Sequence, residues 1–309
     1  MSKARRPVLD YAVYVVIRIV VCVIQALPFE TALGLSRSLA WLLYHVNRRH
    51  RLVALDNLRQ AFPGRYSEAE LHQLVRAVYG HLCMLLIEIV HLPRRMNPNT
   101  WRNYLDLQCG RELVGCLLSD RPLLLVTGHF GNWELASYSL GLLGFPSAAV
   151  ARSLDNPYLD GYLRRFRECT GQKLLDKNRD YPEMVRILKA GGILGTLGDQ
   201  DAGQRGLFVE FFGRPASTHK AIALMILEYR VPLMVIGARR VGWPMKYRVV
   251  ADEVIYPEEY DGQPDAVRAI TQRFTSAWER IIRTAPEQYF WLHRRWKHQP
   301  VARSRRKVA

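Results

Sequence analysis

Short apolar runs alternate with helical patterns over the second half of the chain, and this alternation most constrains the fold. Five runs have the length and apolar character of buried strands: 122–127, 148–151, 193–197, 233–239 and 247–251. Helical patterns lie between or after them: 133–143, 157–169, 181–190, 217–229 and 266–284. Because helices that join successive strands return the chain to the same edge of a sheet, this order predicts an α/β fold with a mostly parallel or mixed central sheet covered by helices.

The first 95 residues are predicted to be helical and carry no evident chemistry. Ser67 and Glu70 predict a capping box that begins the last helix of this part. Residues 11–27 are almost continuously apolar, close to the minimum of roughly 17 residues for a membrane span. Basic residues precede this stretch, but no small-residue cleavage site follows Pro28, so we expect it to be retained rather than removed as a signal peptide.

Arg18 and Gln25 interrupt the apolar stretch, and a charge near the middle of a span is costly. Both a spanning helix and a helix lying at the interface therefore stay open. A spanning helix with its basic flank in the cytoplasm would leave the following domain on the wrong side, which favours the interfacial arrangement. The sequence thus predicts three parts: a helical membrane-anchoring portion at 1–95, an α/β domain at 96–300 and a basic tail at 301–309.

The chain is strongly basic, with 44 Lys and Arg against 28 Asp and Glu, a net charge of +16. Such a field attracts anionic lipid, nucleic acid or an acidic carrier protein. The five cysteines form no Cys-x-x-Cys pair, so neither a disulfide framework nor a zinc site is indicated, and a reducing cytosolic setting fits. The sequence contains neither a G-x-x-x-x-G-K-[ST] nor a G-x-G-x-x-G motif, so a nucleotide-binding loop is unsupported.

The segment TGHFGNWEL carries the most suggestive chemistry, because it places His129 five residues before Glu134 at the end of a predicted strand. On a continuous helix this spacing would put the two side chains about 140° apart, so the pair must straddle a turn. Gly128 and Gly131 allow that turn, and Asn132 is the expected N-cap of the following helix. A histidine oriented by a carboxylate has the basicity to take a proton from an alcohol. Taken alone, however, this spacing favours a structural histidine over a catalytic one.

No nucleophile motif accompanies the pair. The chain lacks G-x-S-x-G, and no cysteine lies near His129 in the sequence. We therefore expect an external hydroxyl to attack directly, without an acyl-enzyme intermediate.

Five segments occur in the order TGHFGNWEL, ARSLDNPYLD, GDQDAG, FFGRPASTH and PEQYFWLHRRWKH. In this set and order the chain resembles the late acyltransferases of lipid A biosynthesis, the lauroyl and myristoyl transferases, over roughly residues 5–298. These are similar in turn to the lysophospholipid and glycerol-phosphate acyltransferases, which share the His-x4-Asp/Glu signature. The resemblance implies that His129 is the general base and Glu134 its orienting partner. It also implies an inner-membrane protein facing the cytoplasm, an acyl-carrier-protein or coenzyme A thioester as donor, and neither metal nor cofactor.

Other candidate residues follow from the same segments. Asp199 and Asp201 follow a predicted strand, so they should lie at the same sheet edge as His129, where the resemblance places the active site. There they would position a hydroxyl, pair with arginines or simply cap a loop. Gly213 and Thr218 match a family turn, which makes them oxyanion-hole candidates. Four arginines are candidates for binding phosphates of the head group or of the donor: Arg152, Arg164, Arg165 and Arg167. Alternatively, they belong to a solvated helix face.

These expectations combine into one function, acyl transfer from a carrier thioester to a hydroxyl of a lipid A precursor or related glycolipid. The expected partners are the bilayer, acyl-carrier protein and the glycolipid, without nucleic acid. Within the same class, a lysophospholipid, a phosphatidylinositol mannoside or an ornithine lipid are alternative acceptors, because shared motifs report chemistry more than head group. A thioesterase, and a noncatalytic basic module that binds membrane or nucleic acid, are alternatives from other classes.

Overall fold

A computed structural model describes residues 6–107, 111–177, 179–242 and 245–300. The predicted basic tail at 301–309 lies outside the described residues, as do Lys3, Arg5 and Cys109. The other four cysteines are free thiols.

Helices make up the N-terminal part and flank the strands that follow. In chain order they are α1 (Pro7–Ala26), α2 (Phe29–Val46), α3 (Arg48–Ala61), α4 (Glu68–Arg95), α5 (Trp101–Tyr104), α6 (Arg111–Leu117), α7 (Trp133–Leu142), α8 (Pro157–Glu168), α9 (Tyr181–Lys189), α10 (Ala221–Tyr229) and α11 (Ala266–Arg283). Helix α4 begins at the predicted capping box, with Ser67 and Glu70 each satisfying the other's backbone N–H.

The strands are β1 (Leu105–Asp106), β2 (Leu123–Thr127), β3 (Ser147–Ala151), β4 (Lys173–Asp176), β5 (Ile193–Leu197), β6 (Leu207–Phe211), β7 (Arg214–Thr218), β8 (Leu233–Gly242) and β9 (Lys246–Ile255). Seven form one sheet in the order β1-β9-β8-β2-β5-β3-β4. The pairs from β8 through β4 are parallel, whereas β9 runs antiparallel to β8. The predicted α/β class with a mostly parallel, mixed sheet is thereby confirmed.

The region around residues 207–229 corrects the sequence-based prediction of a helix at 217–229. Strands β6 and β7 form a separate antiparallel hairpin, and α10 begins only at Ala221. Phe212 and Gly213 both have positive φ, which is the two-residue turn that matches the twist of a tight hairpin. The sequence prediction missed β1, β4, β6 and β7, because strands of two to five residues give little periodic signal.

The core lies on both faces of the main sheet, and β2 shows why its sequence is continuously apolar. Leu124 and Val126 pack into one hydrophobic cluster with α3, α4 and α11, whereas Leu123 and Leu125 pack into a second cluster with α7. A central parallel strand is covered on both sides, so it does not alternate between apolar and polar residues. Its position in mid-sheet places the residues after Thr127 in the centre of one sheet edge.

Helix α1 buries none of its residues, and exposed apolar side chains such as Val8, Val16 and Ile19 cover it. By length and composition two described helices are long and apolar enough to cross a membrane, α1 and the half-buried α4. The two polar interruptions of α1 have protein partners. Arg18 lies 4.3 Å from the centre of the Tyr162 ring in α8, and Gln25 donates to the Val90 carbonyl in α4. Whether α1 spans or lies on a membrane stays a prediction.

Candidate active site

His129 and Asp199 meet at the carboxyl edge of the sheet because their strands are in register. Thr127 at the end of β2 pairs with Leu197 at the end of β5, and the Gly198 N–H donates to the Thr127 carbonyl. Each candidate residue follows its strand by two positions. In the structure, Asp199 therefore lies at the same sheet edge as His129, as the sequence predicted.

Two glycines let the chain pass through this turn. A Cβ at Gly128 would lie 2.4 Å from the Trp278 ring and 2.7 Å from the Asp199 carboxyl carbon. Gly131 has φ +58°, and a Cβ there would lie 1.7 Å from the Ala238 carbonyl oxygen. Neither position has room for a side chain. Asn132 then caps α7 as predicted, accepting the Leu135 N–H at 2.8 Å.

Asp199 holds His129 through two hydrogen bonds, one to its imidazole and one to its backbone. Its Oδ1 lies 2.9 Å from Nδ1 of His129, and its Oδ2 accepts the His129 backbone N–H at 2.9 Å. A carboxylate can only accept, so Nδ1 carries the proton and Nε2 presents its lone pair. Among the described residues no hydrogen bond engages Nε2. The side chain is 22% exposed, so a substrate hydroxyl has access to it.

The surroundings adjust the pKa values of both partners. Burial opposes protonation of His129, but the charge of Asp199 and its hydrogen bond outweigh burial and raise the pKa of His129 above 6.5. Asp199 is buried, which alone would raise its pKa, yet the charge and hydrogen bonds of His129 lower the pKa below 3.8. This arrangement suits a general base, because the neutral form of His129 can take a proton through Nε2 while Asp199 stays ionised.

Glu134 does not orient His129 in the structure, which corrects the role expected from the His-x4-Glu spacing. Both of its carboxylate oxygens are engaged by Arg167, with Nε donating to Oε2 at 2.9 Å and Nη2 donating to Oε1. Trp133 also donates to Oε1 from its indole N–H. Glu134 lies in the first turn of α7, after the glycine-containing turn, whereas Asp199 contacts His129 before that turn. Its charge still contributes to the raised pKa of His129.

The C-terminal segment, residues 286–300, covers the loop that carries His129. The Phe290 N–H donates to the His129 carbonyl at 2.9 Å, and the Gly131 N–H donates to the Gln288 carbonyl at 3.0 Å. Of the two aromatic rings beside His129, Trp133 lies 5.0 Å and Phe290 5.8 Å from its centre. Tyr289, Trp291 and Trp296 are buried. These aromatic residues therefore dock on the core.

Asp201 fastens this segment rather than facing His129. Its Oδ2 accepts from Nδ1 of His298 at 2.6 Å, and its backbone N–H donates to Nε2 of His293 at 3.0 Å. Arg295 is buried beneath, and it donates to the Ser217 carbonyl and to the Thr218 hydroxyl. Thr218 thus lies close to the site but its side chain is occupied. The C-terminal segment was recognised from sequence as a motif, but its residue spacing did not indicate that Asp201 and Thr218 are its partners.

The structure does not bring Gly213 to the site, which corrects its expectation as an oxyanion-hole candidate. Gly213 lies in the hairpin turn, at the start of β7, and Thr218 lies at its end. Five residues of strand separate them, about 16 Å at about 3.3 Å each. The glycine is explained by its positive φ of 72° in the turn.

Three of the four candidate arginines, Arg152, Arg164 and Arg167, line one small pocket, and Arg165 does not. Arg152 pairs with Asp155 at 3.0 Å, and both side chains are largely exposed. Arg164 donates to the Leu174 carbonyl at 2.7 Å, and Arg165 is exposed on α8. Arg167 is the partner of Glu134. Protein acceptors occupy the guanidinium groups of Arg164 and Arg167 here, so phosphate binding by these four residues stays a prediction.

A network buried on α4 supports the His129 loop from behind. Nε2 of His81 lies 3.1 Å from the Gly131 carbonyl oxygen, and burial lowers the pKa of His81 to about 3, so Nε2 donates as a neutral imidazole. Glu88, fully buried, accepts from both Nη atoms of Arg240 and from the Tyr247 hydroxyl. The backbone N–H of Arg240 donates to the Gln288 side chain. Helix α4 is thereby joined to the catalytic edge, and His81 and Glu88 have a role in the core.

An apolar cavity opens beside this site, between the sheet and helices α7 and α8. It encloses about 630 Å³, its open mouth included. Small or aliphatic side chains line most of it, among them Leu125, Ala136, Ala149, Gly195 and Ile236. Trp133, Glu134 and Arg167 lie at its polar part. Such a lining suits a flexible hydrocarbon chain.

Known proteins that share these features identify the family. The family of bacterial lipid A biosynthesis acyltransferases matches residues 2–298. The chain belongs to this family. It is 26% identical over 281 residues to the lipid A biosynthesis palmitoleoyltransferase of Escherichia coli K12, covering 90% of this chain and 89% of that protein. It is 27% identical over 286 residues to the lauroyltransferase of the same organism, covering 91% and 90%. The predicted family is confirmed, and the chain is an acyltransferase.

A solved structure, the 1-acyl-sn-glycerophosphate acyltransferase PlsC of Thermotoga maritima, is also similar. It matches with a TM-score of 0.34 and 15% identity, covering 79% of this chain and 93% of its own. A likeness of that degree has no bearing on substrate. Among the described residues no group of three or more His, Cys, Asp or Glu side chains is placed to hold a metal ion. That the reaction needs no metal or cofactor stays a prediction.

Proposed function

We propose that this lipid A acyltransferase moves a fatty acyl chain from an acyl-carrier-protein or coenzyme A thioester to a hydroxyl of a lipid A precursor, with His129 as general base. The observation that carries this proposal is the accessible Nε2 of His129, opposite the Nδ1 that Asp199 holds, in a histidine whose ring lies 5.0 Å from that of Trp133, a residue that lines the apolar cavity. The orienting role falls to Asp199 rather than to Glu134.

The reaction balances without a covalent enzyme intermediate. Nε2 of His129 takes the proton of the acceptor hydroxyl as its oxygen attacks the thioester carbonyl. The tetrahedral intermediate then expels the thiolate by breaking its C–S bond, and the imidazolium returns the proton to that sulfur. Asp199 stabilises the imidazolium between these steps, because its pKa keeps it ionised.

The cavity and the first helix position the two lipid substrates. The acyl chain would lie along the aliphatic lining beside Glu134 and Arg167. The exposed apolar face of α1 would contact the bilayer that supplies the glycolipid. We place the protein at the cytoplasmic face of the inner membrane, where thioester donors are available.

The full chain in detergent micelles or vesicles, given an acyl-carrier-protein thioester and an underacylated lipid A precursor, tests this function. Mass spectrometry should show the precursor gaining one acyl group, with no comparable gain on lysophosphatidic acid. Release of fatty acid at the same rate without any acceptor would mean a hydrolase and would contradict transfer. Preferential acylation of the lysophospholipid would overturn the proposed acceptor while leaving the chemistry intact.

A further inference from the structure

A basic groove lies on the outer side of the C-terminal segment, away from the acyl cavity. Helix α3 forms one wall through Arg49, Leu52 and Gln60. The C-terminal residues 294–299 form the other, and Arg214 at the start of β7 also lines it. The groove encloses about 1130 Å³, open solvent included. None of its residues takes part in the reaction described above.

Its charge is positive overall. Arg49, Arg214, Arg294 and Lys297 line it, against one carboxylate, Asp56. Within the described ranges no carboxylate lies within 4.0 Å of these four cationic groups, whereas surface arginines such as Arg59, Arg230 and Arg280 have such partners. Four cations around one concave surface attract an anionic partner more strongly than isolated surface charges would.

Hydrogen bonds join the two walls of the groove. Asn57 donates from one amide nitrogen to the carbonyls of Trp291 and His293, each at 2.7 Å, which fixes α3 to the C-terminal segment. The buried ring of Trp296 forms part of the floor. The same segment binds the His129 carbonyl through Phe290. One face of the segment therefore borders the reacting histidine while the other lines the groove.

We propose that this groove docks the acidic carrier protein that delivers the acyl thioester. This inference rests on the proposed function. The groove is too large for a single phosphate and presents cations on two walls, which fits an acidic helix of a small protein. A carrier presents its acyl chain on a long flexible arm. Its body therefore binds beside the active site, and the thioester reaches over the C-terminal segment to His129.

Comparing two acyl donors distinguishes an effect on carrier docking from an effect on the acyl-transfer reaction. The acyl-carrier-protein thioester needs the groove, whereas the same acyl chain on pantetheine carries no protein and no phosphate. In the double variant Arg49→Glu/Arg294→Glu we expect KM for the carrier donor to rise at least about tenfold at low salt, with kcat little changed. With acyl-pantetheine, KM and kcat should match the unaltered protein. Raising ionic strength should weaken carrier binding in the unaltered protein and matter less in the variant.

Lys189→Glu is the matched control, because Lys189 is exposed at the end of α9, at the opposite edge of the sheet. It should leave carrier kinetics unchanged. Direct binding of the carrier to the inactive His129→Ala protein, followed by fluorescence anisotropy, keeps the test independent of turnover. Carrier affinity should fall in the double variant and not in the control.

Unchanged carrier affinity in the double variant would overturn the proposal. So would an equal loss with both donors, which would indicate a structural effect. Loss of binding to phosphatidylglycerol vesicles with normal carrier affinity would instead identify the groove as a lipid contact, also against the proposal. If the unaltered protein transfers nothing from either donor yet binds carrier through the groove, the proposed function fails and the docking surface stands.

Discussion

Replacing Asp199 by Asn should change both the rate and the pH dependence of acyl transfer. Oδ2 accepts the His129 backbone N–H and Oδ1 faces Nδ1. With the amide oxygen kept on the backbone N–H, the amide NH₂ would donate to Nδ1 and place the imidazole proton on Nε2. That is the wrong tautomer for a base. In a serine-protease triad the same change costs about 10⁴-fold in kcat, equivalent to about 5.5 kcal/mol of activation free energy.

The pH profile carries a second, opposite signature. The base works as neutral His129, so kcat/KM falls as pH drops through the pKa of His129, which lies above 6.5. Without the charge of Asp199, burial dominates and should lower that pKa, so the acidic limb moves to lower pH while the plateau falls. The measurement is kcat/KM from about pH 5 to 9 for the unaltered protein, Asp199→Asn and Glu134→Gln. An acidic limb that stays in place in Asp199→Asn but moves in Glu134→Gln would refute the assignment.

Two further perturbations test the support and the cavity. Glu88→Ala leaves Arg240 buried without its carboxylate, so we expect a loss of about 3 to 5 kcal/mol and a Tm lower by about 5 to 8 °C in calorimetry. An unchanged Tm would mean that the ion pair between Glu88 and Arg240 contributes nothing to stability. Ala149→Leu fills part of the cavity, and it should lower the ratio of long-chain to short-chain transfer about 15-fold, the equivalent of two methylenes left unburied at about 0.8 kcal/mol each. Equal rates on both chain lengths would show that the acyl chain lies elsewhere.

The central strands and the catalytic turn could be predicted from sequence because their signals are local. The run at 122–127 is apolar throughout since β2 is covered on both faces, and Asn132 has the residue type and position of an N-cap. The hairpin at 207–218 could not be found in this way. Its strands are short, and its turn uses Phe at positive φ, a residue that rarely takes that conformation.

The partner of His129 could not be predicted from local spacing either. Glu134 is close in sequence, but the turn at Gly131 separates it from Nδ1 and Arg167 engages it. Asp199 is 70 residues away and arrives through the register of β2 and β5. Strand register is a property of tertiary structure, so the sequence placed both carboxylates at the right edge without showing which one contacts the histidine.

Acyl transfer by His129→Ala, measured beside membrane binding, tests the central claim most directly. The variant should lose at least about 10²-fold of its transfer to the lipid A precursor, while sedimenting with vesicles like the unaltered protein, because α1 is untouched. Transfer that continues at the original rate from a correctly folded His129→Ala protein would contradict general-base catalysis by this histidine.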